Sequence, residues 1–269
     1  MRLLFDIGAT KTRLATIEDG KTFGEPLVIP TESDFEAGMA AFAAAAKKLI
    51  KTGRAEFAVG GAAGPFDRDK TTMVNAPNFP NWRRRPLKQR LEDIAQAPVF
   101  LENDAALAGV GEWAYGAGRG HGIVAYLTVS TGVGGARITN GAIDASAQGF
   151  EPGHHIIEAK TRLTFEAAVS GSAVERRFGV KPQTISDAGL WEELAEKLAV
   201  GIHNAIVFWS PDVVILGGSM ILGDPAIPLD RTEAHLAALP QIFPELPKIE
   251  KAALGDFSVL YGALALANR

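Results

Sequence analysis

Short apolar runs alternate along the chain with clusters of glycine, threonine, serine and proline, and the lengths of the runs predict alternating strands and helices. Leu3 to Ile7 breaks at Gly8-Ala9-Thr10-Lys11-Thr12 and resumes as Arg13 to Ile17, which predicts two strands around a tight turn. Ala37 to Leu49 has the alanine-rich composition of a helix, Phe57 to Gly60 reads as a buried strand, and Gly64-Pro65-Phe66-Asp67 signals a loop. Pro86 to Ile94 fits a short helix and Val99 to Leu101 a strand. Ala105 to Trp113 then fits a helix for which Asn103 or Asp104 is the candidate cap.

The second half starts the same way. Ile123 to Val129 is apolar, Ser130-Thr131-Gly132-Val133-Gly134-Gly135 turns, and a further strand runs through Ile138. Setting Asp6 beside Ser130 aligns Gly8 with Gly132, Thr10 with Gly134 and Arg13 with Arg137 at one common offset, as an internal duplication would. The pattern alone does not separate duplication from two unrelated hairpins that both need glycine in their turns. Leu190 to Trp209 is apolar at helical spacing and stops at Ser210-Pro211. Val213 to Leu216 follows as a buried strand that runs into Gly217-Gly218, and Val259 to Ala267 closes the chain as a helix. The class is α/β.

Composition narrows the function. A chain of 269 residues, 47% hydrophobic and 22% charged, belongs with soluble globular proteins and has enough length for a large core. A net charge of −4 gives no broad attraction to nucleic acid or anionic lipid, so neither is expected as a partner. Neither a signal peptide nor an apolar stretch of about 18 residues is evident, and a cytoplasmic location is expected. The absence of cysteine excludes disulfides, thiolate zinc sites and cysteine nucleophiles.

Two glycine-rich turns are suited to phosphate, because backbone N–H groups stand exposed where no side chain intervenes. The first, at Asp6-Ile7-Gly8-Ala9-Thr10, adds a strand-end carboxylate able to orient water around Mg²⁺ and the Thr10 hydroxyl; the second is Thr131 to Gly135. Taken singly, each also reads as a plain hairpin turn. Asp104 follows an apolar strand at the start of a helix, where a carboxylate serves either as a cap or as a general base reaching into a cleft.

Five motifs then occur in order: Asp6-Ile7-Gly8-Ala9-Thr10-Lys11-Thr12-Arg13, Glu102-Asn103-Asp104-Ala105, Ser130 to Gly135, Glu151-Pro152-Gly153-His154, and Pro211 to Gly218. Together they resemble the ROK family of repressors and sugar kinases over nearly the whole chain. The resemblance implies an actin-like ATPase fold: two duplicated ribonuclease-H-like α/β domains, residues 1–105 with 256–269 and residues 106–255, with ATP and sugar meeting in the cleft. By motif, Asp104 would be the catalytic base in ATP-dependent phosphorylation of a hexose, glucose at its 6-position being the leading candidate. Asp6, Gly8, Thr10, Lys11, Thr131, Gly132 and Gly134 would surround the phosphates and the accompanying Mg²⁺, and Gly217 and Gly218 would leave room for adenosine. Asn103, Glu151, His154 and Glu166 match sugar contacts, with Gly64 and Asn78 at the pocket rim; a homodimer is also implied. Carboxylates, amides and imidazole suit a hexose because each can meet hydroxyls that both donate and accept.

The chain departs from many relatives in lacking the cysteine-rich loop that holds zinc after the Glu-x-Gly-His element. Packing is therefore expected to fix the short segment His155 to Phe165, with no structural zinc. His155 reads as structural and His154 as the sugar contact. The basic run Trp82 to Arg90 reads as a solvated face, the alternative being a track for polyphosphate as donor. A sugar-responsive regulator is the rival from another class, but no N-terminal helix-turn-helix precedes the first phosphate turn and no basic recognition helix is evident.

Overall fold

The computed structural model describes residues 1–17, 21–50, 54–76 and 79–269. The chain runs β1 (Arg2–Ile7), β2 (Lys11–Ile17), β3 (Leu27–Pro30), α1 (Phe35–Leu49), β4 (Ala58–Ala62), α2 (Leu87–Ala95), β5 (Val99–Asn103) and α3 (Asp104–Tyr115). It continues with β6 (Ile123–Val129), β7 (Val133–Thr139), β8 (Ala142–Ile143), β9 (Ile156–Glu158), β10 (Leu163–Thr164), α4 (Phe165–Val169), α5 (Gly171–Phe178) and α6 (Ala188–Trp209). It ends with β11 (Val213–Gly217), α7 (Ser219–Leu222), α8 (Leu229–Ala238), β12 (Lys248–Lys251) and α9 (Ser258–Ala267).

Two five-stranded sheets result, ordered β3-β2-β1-β4-β5 and β12-β11-β6-β7-β8. In the first, β1 pairs antiparallel with β2 and parallel with β4; in the second, β6 pairs antiparallel with β7 and parallel with β11. With strands numbered in chain order within each sheet, both sheets have the order 3-2-1-4-5, so the duplication is written in the topology. The proposed residue-by-residue offset does not survive. Asp6 lies within β1 opposite Arg13, whereas Ser130 lies beyond the end of β6; the last facing pairs, Ile7–Thr12 and Val129–Val133, are separated by residues 8–11 in the first hairpin and by 130–132 in the second.

The period-two pattern of β1 explains its place. Leu3, Phe5 and Ile7 join the core formed with Phe35, Met39 and Phe42 of α1 and Leu87 and Leu91 of α2. Leu4 and Asp6 alternate onto the other face, on which α9 packs. In the second half Ala125, Leu127 and Val129 of β6 share a core with Leu194, Leu198, Ile202 and Ile206 of α6 and with Phe165 and Val169 of α4. Each fully buried leucine, isoleucine or phenylalanine stabilises the fold by about 1.5–3 kcal/mol relative to exposure. α6 starts where the Asp187 carboxylate accepts the Gly189 N–H and stops where Ser210 adopts a left-handed conformation before Pro211. Among the described residues no helix is long and apolar enough to cross a membrane.

The chain divides into two compact units, Met1–Ala114 with Ala145–Gly149 and Asp256–Arg269, and Tyr115–Asp144 with Phe150–Gly255. The first unit reaches Ala114 rather than residue 105. α3 is continuous, and its Leu107 and Gly111 backbone lies directly against Gly262 and Ser258 of α9.

Candidate active site

In the first unit, the end of β5 delivers Asn103 and Asp104 to the start of α3. Asn103 is the cap: its Oδ1 accepts the Ala106 N–H at 3.1 Å, while its Nδ2 donates to the Gly64 carbonyl at 3.2 Å. Asp104 Oδ1 accepts the adjacent Ala105 N–H, at 2.8 Å. Burial pushes the Asp104 carboxyl above its ordinary value, opposed by backbone N–H groups of Ala105 and of Asp104 itself. Gly61 on β4 makes room for this corner, since a Cβ there would stand 3.0 Å from the Asp104 Cα.

Asp6 is 4% exposed. Burial first and the neighbouring Asp104 charge second push its carboxyl up to about 7. Arg13 opposes this, donating to Asp6 Oδ2 at 2.9 Å from the directly opposite position on β2. Arg13 also reaches Asp256 at 3.3 Å. The first glycine turn closes through Gly8 N–H to the Lys11 carbonyl at 3.0 Å. Thr31 buttresses it, its hydroxyl donating to the Gly8 carbonyl at 2.8 Å and its N–H to the Thr10 carbonyl at 3.1 Å, which leaves Thr10 and Lys11 exposed at the tip. Gly64 has φ +138° and its carbonyl is the one held by Asn103. Asn78 lies outside the described residues. Beside this loop, Lys70 pairs with Glu102, and the Asp67 carboxylate accepts the Thr71 N–H at 2.6 Å.

The second unit gathers its candidates around Val133. The Val133 N–H donates to Glu166 Oε2 at 2.8 Å. At the same residue's other backbone group, Gly153 approaches so closely that a Cβ there would stand 2.4 Å from the Val133 carbonyl oxygen. Glu151 and His154, both exposed, flank Gly153 on a single 3₁₀ turn, Pro152–His154, closed by the His154 N–H to the Glu151 carbonyl at 3.0 Å. The Thr131–Gly135 turn is shaped by the Ser130 N–H to the Gly132 carbonyl at 2.8 Å. The first N–H groups of α5 also reach it, from Gly171 to the Ser130 carbonyl at 2.7 Å and from Ser172 to the Thr131 carbonyl at 3.2 Å. Gly134 belongs to β7, opposite Thr128.

Gly217 ends β11, and Gly218 follows it as the residue before α7. A side chain at 218, where φ is +88°, would strike the Val129 carbonyl at 2.3 Å, so the glycine answers to packing on β6 whatever it leaves free for a ligand. His155 is structural: its Nδ1 meets the Pro152 carbonyl at 2.5 Å and its ring packs on Phe165, with centroids 5.3 Å apart. The Phe165 N–H donates to the His155 carbonyl at 3.0 Å, and β9 and β10 pair between these two residues. Phe165 is wholly buried. A hairpin anchored on an aromatic contact thus spans this short, cysteine-free stretch.

Three arginines of the basic run hold the first unit together. Arg85 and Arg90 both pair with Glu36, at 2.6 and 3.0 Å, Arg85 also lies over the Phe35 ring, and Arg83 donates to the Val74 carbonyl. Sequence reasoning missed Thr31, Gly61, the Lys70–Glu102 pair and the partnership of Asp6 with Arg13. Only the last left a signal, because counting back from the first turn sets residue 6 opposite 13.

The ROK family model matches residues 3–269. The glucokinase of Thermotoga maritima is 30% identical over 198 residues, which is 60% of this chain and 62% of that protein, so the chain spans about three fifths of that relative's length. Among solved structures, the ROK hexokinase of Thermus thermophilus is 28% identical with a TM-score of 0.80, covering 98% of this chain and 96% of that one. A ROK family glucokinase of Streptomyces griseus, solved in complex with glucose and AMPPNP, is 25% identical with a TM-score of 0.81, covering 98% of each chain. The fold shared with these neighbours is the actin-like ATPase fold.

Proposed function

The chain belongs to the ROK family, and from that premise we propose that it transfers the terminal phosphoryl group of ATP to a hexose hydroxyl, glucose and its 6-position being the leading candidates. The observation that carries the reading is the division of labour at the start of α3. Asn103 caps the helix, so Asp104 is spared that duty, and burial raises its affinity for a proton. In the reaction the hydroxyl oxygen attacks the γ-phosphorus, its proton passes to the Asp104 carboxylate, and the bond from phosphorus to the bridging oxygen breaks as ADP leaves. A carboxylate whose affinity for a proton is raised by burial takes that proton more readily than an ordinary aspartate.

Each unit carries part of the expected set. In the second, Glu151, His154 and Glu166 supply acceptors and an imidazole for sugar hydroxyls, and the Thr131–Gly135 turn supplies backbone donors for phosphate. Among the described residues no cluster of three or more His, Asp or Glu side chains is arranged to hold a metal. The residues fit Mg²⁺ carried by the nucleotide, with Asp6 as the carboxylate candidate to orient its water, rather than a metal caged by protein. When bound, that ion would neutralise phosphate charge. ATP is favoured over polyphosphate because Arg83, Arg85 and Arg90 are engaged within the first unit. A cytoplasmic homodimer completes the proposal, and light scattering checks the stoichiometry.

The test is a coupled assay of ADP release over glucose, mannose, fructose and N-acetylated hexosamines, with polyphosphate as the rival donor and hexose phosphate as its readout. Turnover of at least one hexose with ATP is expected. No turnover with any sugar or donor would leave the family membership standing and remove the kinase reading.

A further inference from the structure

Glu166 touches more than a sugar pocket would require. Its Oε2 accepts the Val133 N–H at 2.8 Å, inside the glycine turn expected to receive phosphate. The same oxygen would lie only 2.6 Å from a Cβ at residue 132, so a side chain there would displace the carboxylate from this position. Phosphate therefore has no exclusive claim on that glycine. The mount behind Glu166 is firm: the Thr164 hydroxyl caps α4 by accepting the Ala167 N–H at 3.2 Å, and Phe165 is wholly buried against α6 at Gly201.

With the Ser130 N–H committed to the Gly132 carbonyl and the Val133 N–H to Glu166, two donors of the turn remain. The Thr131 and Gly132 N–H groups meet no protein acceptor among the described residues. With the Val133 N–H held by the carboxylate, the phosphate seat in this turn narrows to the N–H groups of Thr131 and Gly132. Among the described residues the carboxylate's other oxygen, Oε1, meets no donor, which leaves its lone pairs for a hydroxyl.

We propose that Glu166 is a positioning residue for the nucleotide: one oxygen fixes the phosphate turn through Val133 while the other reads a sugar hydroxyl, so that a single carboxylate joins the two substrates. The inference rests on the proposed kinase function and goes beyond it, because an ordinary sugar contact would have no effect on nucleotide affinity when sugar is absent.

The experiment is calorimetric titration of ADP and of a non-hydrolysable ATP analogue into the full chain without sugar, followed by steady-state kinetics with the preferred hexose. Glu166→Ala is expected to weaken nucleotide binding about tenfold, the scale of one hydrogen bond to a charged group, and to raise the hexose KM. Glu166→Gln keeps a carbonyl acceptor for the Val133 N–H and is expected to hold nucleotide affinity within about twofold while still raising the hexose KM. Circular dichroism and thermal melting check that both variants fold, and the glutamine variant carries the test if the alanine variant does not. Wild-type nucleotide affinity in Glu166→Ala, or an equal loss in both variants, overturns the inference and leaves the kinase reading intact. No nucleotide binding by the wild-type protein overturns the phosphate role of the turn, and this inference with it.

Discussion

Replacing Asp6 by asparagine should stabilise the protein at pH 8 and leave its stability nearly unchanged at pH 4. The Asp6 carboxyl is pushed from an ordinary 3.8 to about 7 in the folded protein, by burial and then by the Asp104 charge, even though Arg13 stands 2.9 Å away. The native state therefore holds a proton between those two values that the unfolded chain has released. Wild-type stability falls as pH rises through that window and levels off above it. At about 1.36 kcal/mol per pH unit the full interval corresponds to on the order of 4 kcal/mol, an upper bound because Asp6 and Asp104 are coupled and the shift is not a property of one carboxyl alone. Asparagine resembles the protonated carboxyl in shape and carries no charge, so the variant should lack the slope. Urea denaturation of both proteins at pH 4, 5, 6, 7 and 8 reads the difference directly. A variant less stable than wild type at pH 8, or a difference that does not change with pH, would mean that the Asp6–Arg13 pair is a net stabilising salt bridge, and would refute the reasoning.

Gly201→Ala should destabilise the protein by about 1–3 kcal/mol and raise the hexose KM, because its Cβ would lie 2.2 Å from the Phe165 ring that anchors α4; unchanged urea midpoints would contradict this packing. Asp34→Ala removes the cap of α1, whose carboxylate accepts the Ala37 N–H at 2.9 Å, and should cost about 1 kcal/mol without altering turnover. Purified protein should contain no stoichiometric zinc and should keep its activity after a chelator is removed and Mg²⁺ restored. One tightly held zinc per chain by elemental analysis, with unfolding on its loss, would contradict the account of the His155–Phe165 hairpin.

The alternation of apolar runs with glycine clusters made the elements legible, since periods of 2 and 3.6 are local properties of the chain. β1, α6 and β11 lie within a few residues of where those periods place them. The cap of α3 was not legible. Asn103 and Asp104 are equally good caps by residue type, and only the fold decides that the amide turns to Ala106 while the carboxylate stays by its own helix. Gly132 shows the same limit at longer range. Its glycine is compatible with a phosphate turn in sequence, but the steric demand comes from Glu166, which reaches it only after β7, the hairpin and α4 have formed. The common offset between the two halves also failed at its turns. Duplication preserves strand order, whereas a connection one residue shorter changes which side chains face each other.

The most direct test of the central claim compares wild type with Asp104→Asn in ATP-dependent phosphorylation of the preferred hexose, with sugar binding measured separately by calorimetry. The amide preserves shape and hydrogen bonding but cannot take the hydroxyl proton. Turnover is expected to fall by about 10²- to 10⁴-fold with sugar affinity within a fewfold of wild type. A folded Asp104→Asn protein that phosphorylates its hexose at near the wild-type rate would contradict the assignment of Asp104 as the base.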